Sequence, residues 1–196
     1  LTDTLSDGSV VTLNKKTSLS YPNKFKGDKR SVALQGEAFF KVTPDSKKPF
    51  IIQSNDVTIK VIGTSFNVRN DNNATEVIVE TGIVEVSHRN SSIELRPGEK
   101  LVVHAQDTLL TKEKQQDKLY NYYSTKQFVC DNTPLWKLVQ ALNDAYDAHI
   151  EIGRPELRNI PITTTFNNES LDRILEIVRL TLNISVTKTG DKIILR

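Results

Sequence analysis

Hydrophobic and polar positions follow two different rhythms along this chain. Up to about residue 111 the rhythm is short. Val57, Ile59 and Val61 alternate with Thr58 and Lys60, the period-two pattern of a half-buried strand. Residues 10–13, 37–42 and 76–79 are further runs rich in Val, Ile, Thr and Phe, and Asp7-Gly8, Pro22-Asn23, Asp71-Asn72-Asn73 and Pro97-Gly98 punctuate them as turn signals. Short strands recurring between such turns predict an all-β domain over residues 1–111, a sandwich or a solenoid-like stack. Phe39-Phe40 breaks the alternation and predicts a strand buried on both faces or bulged. Gly36, Gly63, Gly82 and Gly98 are expected at strand corners or bulges.

The rhythm changes over residues 112–125. Lys-Glu-Lys-Gln-Gln-Asp-Lys runs without an apolar residue and leads to Tyr120 and Tyr122-Tyr123, which reads as a linker whose tyrosines dock on one of two domains. From residue 126 to 196 the spacing becomes helical in two places. Leu135, Leu138, Val139, Leu142 and Tyr146 form one stripe after Thr133-Pro134, expected as N-cap and first helical position. Leu171, Ile174, Leu175, Val178 and Leu182 form a second after Ser170, a good N-cap; Arg173 stands where a capping box needs Glu. Strand-like runs flank both helices at residues 127–130, 149–152, 160–166, 184–187 and 192–195, and Thr189-Gly190-Asp191 suits a hairpin. The order predicts an α+β domain built of two βαβ repeats, helices packed on a sheet.

Composition adds limits. With 37% hydrophobic and 26% charged residues the chain of 196 can bury cores, and its net charge of +2, unpolarised between the halves, gives no case for nucleic acid. No segment approaches the length of a membrane span and no signal peptide opens it. There is no Met, so a processed product or a piece of a longer protein is expected, and a membrane anchor or partner domain outside it stays open. Cys130, the single cysteine, excludes an internal disulfide and a Cys-rich zinc site.

Candidate chemistry is sparse. His88, His104 and His149 lack metal-ligand spacing, so neither metal nor cofactor is expected. Cys130 closes a strand with no His beside it in sequence and reads as a buried structural thiol. Asp71-Asn72-Asn73 lacks the Gly and closing Glu of a calcium loop and reads as a hairpin turn; the sequons at Asn90 and Asn183 carry little weight. No phosphate loop or nucleophile elbow occurs, and no enzyme activity is expected beyond one self-directed step. At Gly63-Thr64, between two strands, the Thr64 hydroxyl could attack the Gly63 carbonyl and shift the acyl group from N to O, opening the chain to hydrolysis. A Gly-assisted corner explains the same residues, and both readings stay open.

Six fragments in order then resemble the FecR-type anti-sigma regulators. Asp7-Gly8-Ser9, Leu13-Asn14, Ser18 and Tyr21-Pro22 match the family's opening, and Arg30, Val32, Leu34 and Gly36 through Phe40 with Val42 its central signature. Pro49-Phe50, then Val61, Gly63-Thr64 and Phe66-Asn67-Val68, then Val79-Glu80, Gly82, Val84 and Val86 continue it to Leu95 and Pro97-Gly98. In the second half Pro134-Leu135, Leu142, Tyr146, Phe166, Asn168, Ser170-Leu171 and Ile174-Leu175 resemble the following domain of Bacteroidetes members, itself similar to the short N-terminal domain of secretins and TonB-dependent receptors. Tyr122-Tyr123 replace a Trp that the family usually carries.

The resemblance implies a signal relay. Residues 1–196 look like the periplasmic part of a single-pass inner-membrane protein, whose membrane helix and cytoplasmic sigma-binding segment lie outside this chain. The implied partners are the signalling domain of a TonB-dependent outer-membrane transducer and, through the absent segment, an extracytoplasmic-function sigma factor. A partner strand could add to an exposed edge, and the candidates are Phe128, Val129 and Cys130 in the first strand of the second domain, and Ile162, Thr163, Thr164 and Thr165 in its third. Pro161, which has no N–H, favours an edge there, although a central strand with a polar outer face fits as well. The alternative function is a carbohydrate- or cell-envelope-binding module.

Overall fold

The computed structural model describes residues 1–71 and 73–196. Asn72, within the predicted hairpin turn at 71–73, lies outside the described residues. The chain divides into two compact units, Leu1–Gln115 and Gln116–Arg196.

The first unit is all β. Its strands are β1 (Thr2–Thr4), β2 (Val10–Leu13), β3 (Ser18–Ser20), β4 (Arg30–Gln35), β5 (Glu37–Lys41), β6 (Phe50–Ser54) and β7 (Val57–Val61). They continue as β8 (Ser65–Asn70), β9 (Ala74–Thr81), β10 (Val84–His88), β11 (Ser91–Leu95), β12 (Glu99–His104) and β13 (Lys112–Lys114). Seven form an antiparallel sheet in the order β1-β2-β5-β8-β9-β12-β13, and six form a second, β11-β10-β7-β6-β4-β3, in which only β4 and β6 run parallel. The sheets share one apolar core: Phe40 and Phe66 of the first stack at 5.3 Å, and Phe40 meets Phe50 of the second edge-on at 6.3 Å. That is a sandwich of two sheets, each lending alternate side chains to the core.

Every glycine expected at a corner stands where the chain passes from one sheet to the other: Gly36 between β4 and β5, Gly63 between β7 and β8, Gly82 between β9 and β10, Gly98 between β11 and β12. Phe39 and Phe40 are both buried, and their pairing with Asn67 and Phe66 is regular; the irregularity of this sheet falls at Ser65/Phe66 instead.

The expected linker is not a separate segment. Lys112–Lys114 is an edge strand on β12, tied by Lys112 to Glu99 (2.8 Å) and Lys100 to Glu113 (3.4 Å). A solvated edge needs no apolar alternation, so hydropathy cannot reveal it. Leu119–Asn121 forms a 3-10 turn, followed by α1 (Tyr122–Thr125), and the Tyr122 ring stacks on Phe128 at 5.1 Å within the second unit.

The second unit continues with β14 (Gln127–Pro134), α2 (Leu135–Tyr146), β15 (His149–Ile152), β16 (Pro161–Asn167), α3 (Leu171–Leu182), β17 (Val186–Thr189) and β18 (Lys192–Leu195). Leu135, Leu138, Val139 and Leu142 of α2 and Ile174, Leu175 and Val178 of α3 fill its core with Phe128, Ile150, Ile162 and Phe166. Ser170 caps α3, its hydroxyl accepting from the Arg173 N–H at 3.3 Å. Thr133 does not cap α2: β14 runs on to Pro134, and the Leu135 and Trp136 N–H groups donate to Ile160 and Arg158 carbonyls. The element order is the expected one, but the strands flanking each helix lie in different sheets. β14 pairs with β16, while β15 lies parallel to β18, which forms the expected hairpin with β17. Local spacing fixes the order of elements; the pairing of strands across a helix is a long-range matter that it does not encode.

Candidate functional site

Two places in the molecule gather the candidate residues. The first is the corner Ile62-Gly63-Thr64 between β7 and β8. Residues 42–49, leaving β5, form a strap that crosses the corner at residues 42–45. The Val42 N–H donates to the Thr64 carbonyl (2.9 Å) and the Asp45 N–H to the Ile62 carbonyl (2.7 Å), so the carbonyls before and after that of Gly63 are held. Gly63 is required here by space: a Cβ would lie 2.7 Å from Pro44 Cα. Gly82 is required twice over. Its φ is +78°, and a Cβ would stand 2.6 Å from the Thr64 methyl and 2.9 Å from the Gly63 carbonyl oxygen.

Thr64 is 4% exposed, and its hydroxyl oxygen is buried without a hydrogen-bond partner among the described residues. Buried hydroxyls nearly always find a partner, because leaving one unmade costs on the order of 1–3 kcal/mol. This hydroxyl belongs to the residue that follows the Gly63 carbonyl, between the held carbonyls of Ile62 and Thr64. As a corner the site is accounted for by the space at Gly63 and the backbone of Gly82. Pro44 and Asp45, invisible to motif reasoning, complete it; only a rigid X-Pro in a polar loop hinted at them.

The second place is β14 with β16. The two candidate stretches pair with each other: Phe128 faces Phe166, Val129 faces Thr165, Cys130 faces Thr164, and Thr133 faces Ile162. Asn168 N–H donates to the Lys126 carbonyl at 2.8 Å, so hydrogen-bonded pairs fall at 126/168, 128/166 and 130/164. After the irregularity between Cys130 and Thr133, Leu135 N–H to the Ile160 carbonyl sets the phase again. It follows that the backbone groups of Thr163, Thr165 and Asn167 point away from β14. Pro161 occupies the next outward position, where its missing donor costs no ladder bond. The outer side of β14 is occupied, the Lys118 N–H reaching the Val129 carbonyl at 2.9 Å.

Side chains sort the candidates further. Phe128, Cys130 and Ile162 are buried in the core and Thr164 is half-buried, whereas Thr163 and Thr165 are exposed. The Thr163 hydroxyl accepts from the Asn132 N–H at 2.9 Å and steadies the irregularity in β14. Burial, helped by the nearby Asp117 charge, pushes the Cys130 thiol up to about 12, so it stays protonated. Among the described residues no group of His, Cys, Asp and Glu could hold a metal ion, and no helix is long and apolar enough to cross a membrane. His88 is buried and bound at 2.8 Å to Asp56, which accounts for it structurally.

Two family models match the chain, "FecR protein" over residues 2–85 and "FecR, C-terminal" over residues 127–195. Two crystal structures of a protein from Parabacteroides distasonis ATCC 8503, provisionally described as an anti-sigma factor, are similar along the whole chain. One is 30% identical with a TM-score of 0.77, covering 100% of this chain and 93% of that one. The other is 31% identical with a TM-score of 0.75, covering 100% and 92%. No curated protein matches the sequence.

Proposed function

Because the chain belongs to the FecR family and is an anti-sigma regulator of that type, we propose that residues 1–196 are its periplasmic signal-receiving region. In this reading the second unit, a domain of the secretin and TonB short N-terminal type, binds the signalling domain of a TonB-dependent outer-membrane transducer. A cytoplasmic segment beyond this chain holds the sigma factor, joined to it by a single membrane helix. The observation that carries the reading is the outward edge of β16. It offers the N–H groups of Thr163, Thr165 and Asn167 in a strand of seven residues without a charge. A partner strand added there gains main-chain hydrogen bonds, and alternate side chains supply selectivity. Calorimetric titration of residues 1–196 with the transducer's signalling domain tests this. Thr165→Pro, which removes an outward donor, should weaken binding by roughly tenfold or more, since each backbone hydrogen bond is worth about 0.5–1.5 kcal/mol and the proline ring adds a clash. Heat released with a cell-envelope glycan but none with the protein domain would favour the carbohydrate-binding alternative.

A second reading concerns the first unit and is favoured by the unpartnered Thr64 hydroxyl. In it the chain opens its own Gly63–Thr64 bond. The hydroxyl oxygen bonds to the Gly63 carbonyl carbon, the C–N bond breaks, and the hydroxyl proton passes to the freed amine. Water then hydrolyses the ester to a Gly63 carboxylate and a Thr64 with a free amine. Two fragments whose masses sum to the intact mass plus one water, absent in Thr64→Ala, are the expected products.

A further inference from the structure

We propose that Arg30, together with Asp7 and Ser9, is a positioning group for the Gly63–Thr64 bond, acting through the strap of residues 42–49; this rests on the self-cleavage reading of that bond. Arg30 opens β4 and is 2% exposed, so its charge is inside the sandwich. Its Nη1 donates to the Asp7 carboxylate (2.7 Å) and to the Thr43 carbonyl (2.8 Å), and its Nε donates to the Lys48 carbonyl (2.8 Å). The guanidinium also lies 5.4 Å from the centre of the Phe50 ring.

Ser9 completes the clamp. Its hydroxyl donates to Asp7 (2.7 Å) and accepts from the Thr43 N–H (3.0 Å). Arg30 thus holds the strap at Thr43 and Lys48 and Ser9 holds it at Thr43, while Asp7 braces Arg30 and Ser9 against each other. Between and beside those points, the strap's Val42 and Asp45 N–H groups hold the carbonyls on either side of Gly63, and Pro44 lies against Gly63 itself. One set of contacts therefore runs from Asp7 through Arg30 and the strap to the Ile62 and Thr64 carbonyls that flank the Gly63 carbonyl. A buried charge of this kind is a costly way to fix a loop, because apolar packing often stabilises as well. What the planar guanidinium adds is geometry: one rigid group satisfying three acceptors at fixed angles, which Lys cannot reproduce.

The step needs that geometry. Attack on a carbonyl proceeds when the reacting atoms are held at about 3–3.5 Å, and a misplacement near 1 Å lowers the rate roughly a hundredfold. The strap sets where the Gly63 carbonyl lies relative to the Thr64 hydroxyl, and the clamp sets where the strap lies. Asp7, Ser9 and Arg30 touch neither reacting atom.

The test uses purified residues 1–196 and intact mass over time, with and without hydroxylamine, which cleaves the O-acyl ester directly and so reports the shift apart from its hydrolysis. Variants are Thr64→Ala, Arg30→Lys and Ser9→Ala, with Ile59→Val as a core change that loosens the sandwich away from the strap. Wild type is expected to cleave and Thr64→Ala to stay intact. Arg30→Lys and Ser9→Ala should cleave at least tenfold more slowly than Ile59→Val, with and without hydroxylamine, while the Asp45 amide exchanges faster in both. Ser9→Ala carries the test where Arg30→Lys fails to fold. If the clamp variants cleave as fast as Ile59→Val, the positioning role is wrong and the self-cleavage reading stands. If wild type remains intact in hydroxylamine, the self-cleavage reading fails and the positioning role falls with it.

Discussion

The two units treat their sheet edges differently. In the sandwich, the outer strands of the seven-stranded sheet are Thr-Asp-Thr and Lys-Glu-Lys, three residues each and charged. Those of the six-stranded sheet are Ser-Leu-Ser and Ser-Ser-Ile-Glu-Leu. Short, polar or charged edges are how soluble proteins discourage pairing with another chain. In the second unit β17 carries Lys188 and β15 carries Glu151, and the outer side of β14 receives Lys118. β16 breaks the pattern: seven residues, Pro-Ile-Thr-Thr-Thr-Phe-Asn, with no charge. The comparison singles out one edge as left available where the others are blunted, and it does so without reference to any partner.

The largest effect expected is in the packing that supports this edge. Leu142 of α2 is 1% exposed in the core that also holds Phe128, Ile162 and Phe166, the inward side chains of β14 and β16. Leu142→Ala should cost about 2–5 kcal/mol. Trp136, the single tryptophan, lies on α2, so its fluorescence during urea unfolding reads the second unit. Because the sandwich core shares no residue with this one, its own unfolding should move less. An unmoved tryptophan transition would mean that α2 does not support the strand pair.

How much of this contrast the sequence disclosed depends on the range of the interaction behind each element. The helices were legible because Leu138, Leu142, Ile174 and Val178 repeat at helical spacing, and the corners because Gly36, Gly63, Gly82 and Gly98 each interrupt a run of strand formers. Features set by distant contacts were not. β13 is polar on both faces and looked like a linker; it is a strand because β12 offers an edge. That β14 and β16 pair with each other, and which backbone groups then face outward, follows from a register that no local pattern carries. The same holds at the corner. Gly63-Thr64 could be picked out by residue type, but the strap residue Pro44 and the clamp of Asp7, Ser9 and Arg30 come from loops far apart in the chain.

A smaller effect is expected from acid, and it falls on the sandwich. Burial alone pushes the Asp7 carboxyl up, but the Ser9 hydroxyl, the Arg30 guanidinium and the Ser9 N–H outweigh it and hold the group below its ordinary 3.8. A carboxyl depressed in the folded state contributes stability above its unfolded value, and that contribution disappears as pH falls through the folded one. The melting temperature of the sandwich should therefore decline as pH drops below about 3.8, and Asp7→Asn should be destabilised near neutrality but flatter through this range. Glu37, raised chiefly by burial despite hydrogen bonds from Asn14 and Asn67, works in the opposite direction. With a folded value above the unfolded 4.5, it adds stability as pH falls toward 4.5, a window above that of Asp7, so Glu37→Gln should remove that gain and leave the loss below about 3.8 in place. Parallel profiles for wild type and Asp7→Asn would place the acid sensitivity outside the clamp.

The smallest effect on stability is the most pointed for the edge comparison. Thr165 is exposed and its backbone faces away from β14. Thr165→Lys gives β16 the kind of residue that β13 and β17 already carry. Surface changes away from caps and cores usually stay within about 0.5 kcal/mol, so the tryptophan transition should barely move. Binding of the transducer's signalling domain should nevertheless fall, because a lysine at the centre of the strand must be desolvated or displaced when another strand is laid alongside it. The pairing with β14 runs through Thr164 and Phe166 and is left intact. A variant with unchanged stability and lost binding would separate the edge from the fold that carries it. Unchanged binding would mean that β16 lies open for some other reason, and the interface would have to be sought among the blunted edges or on the faces of the sheets.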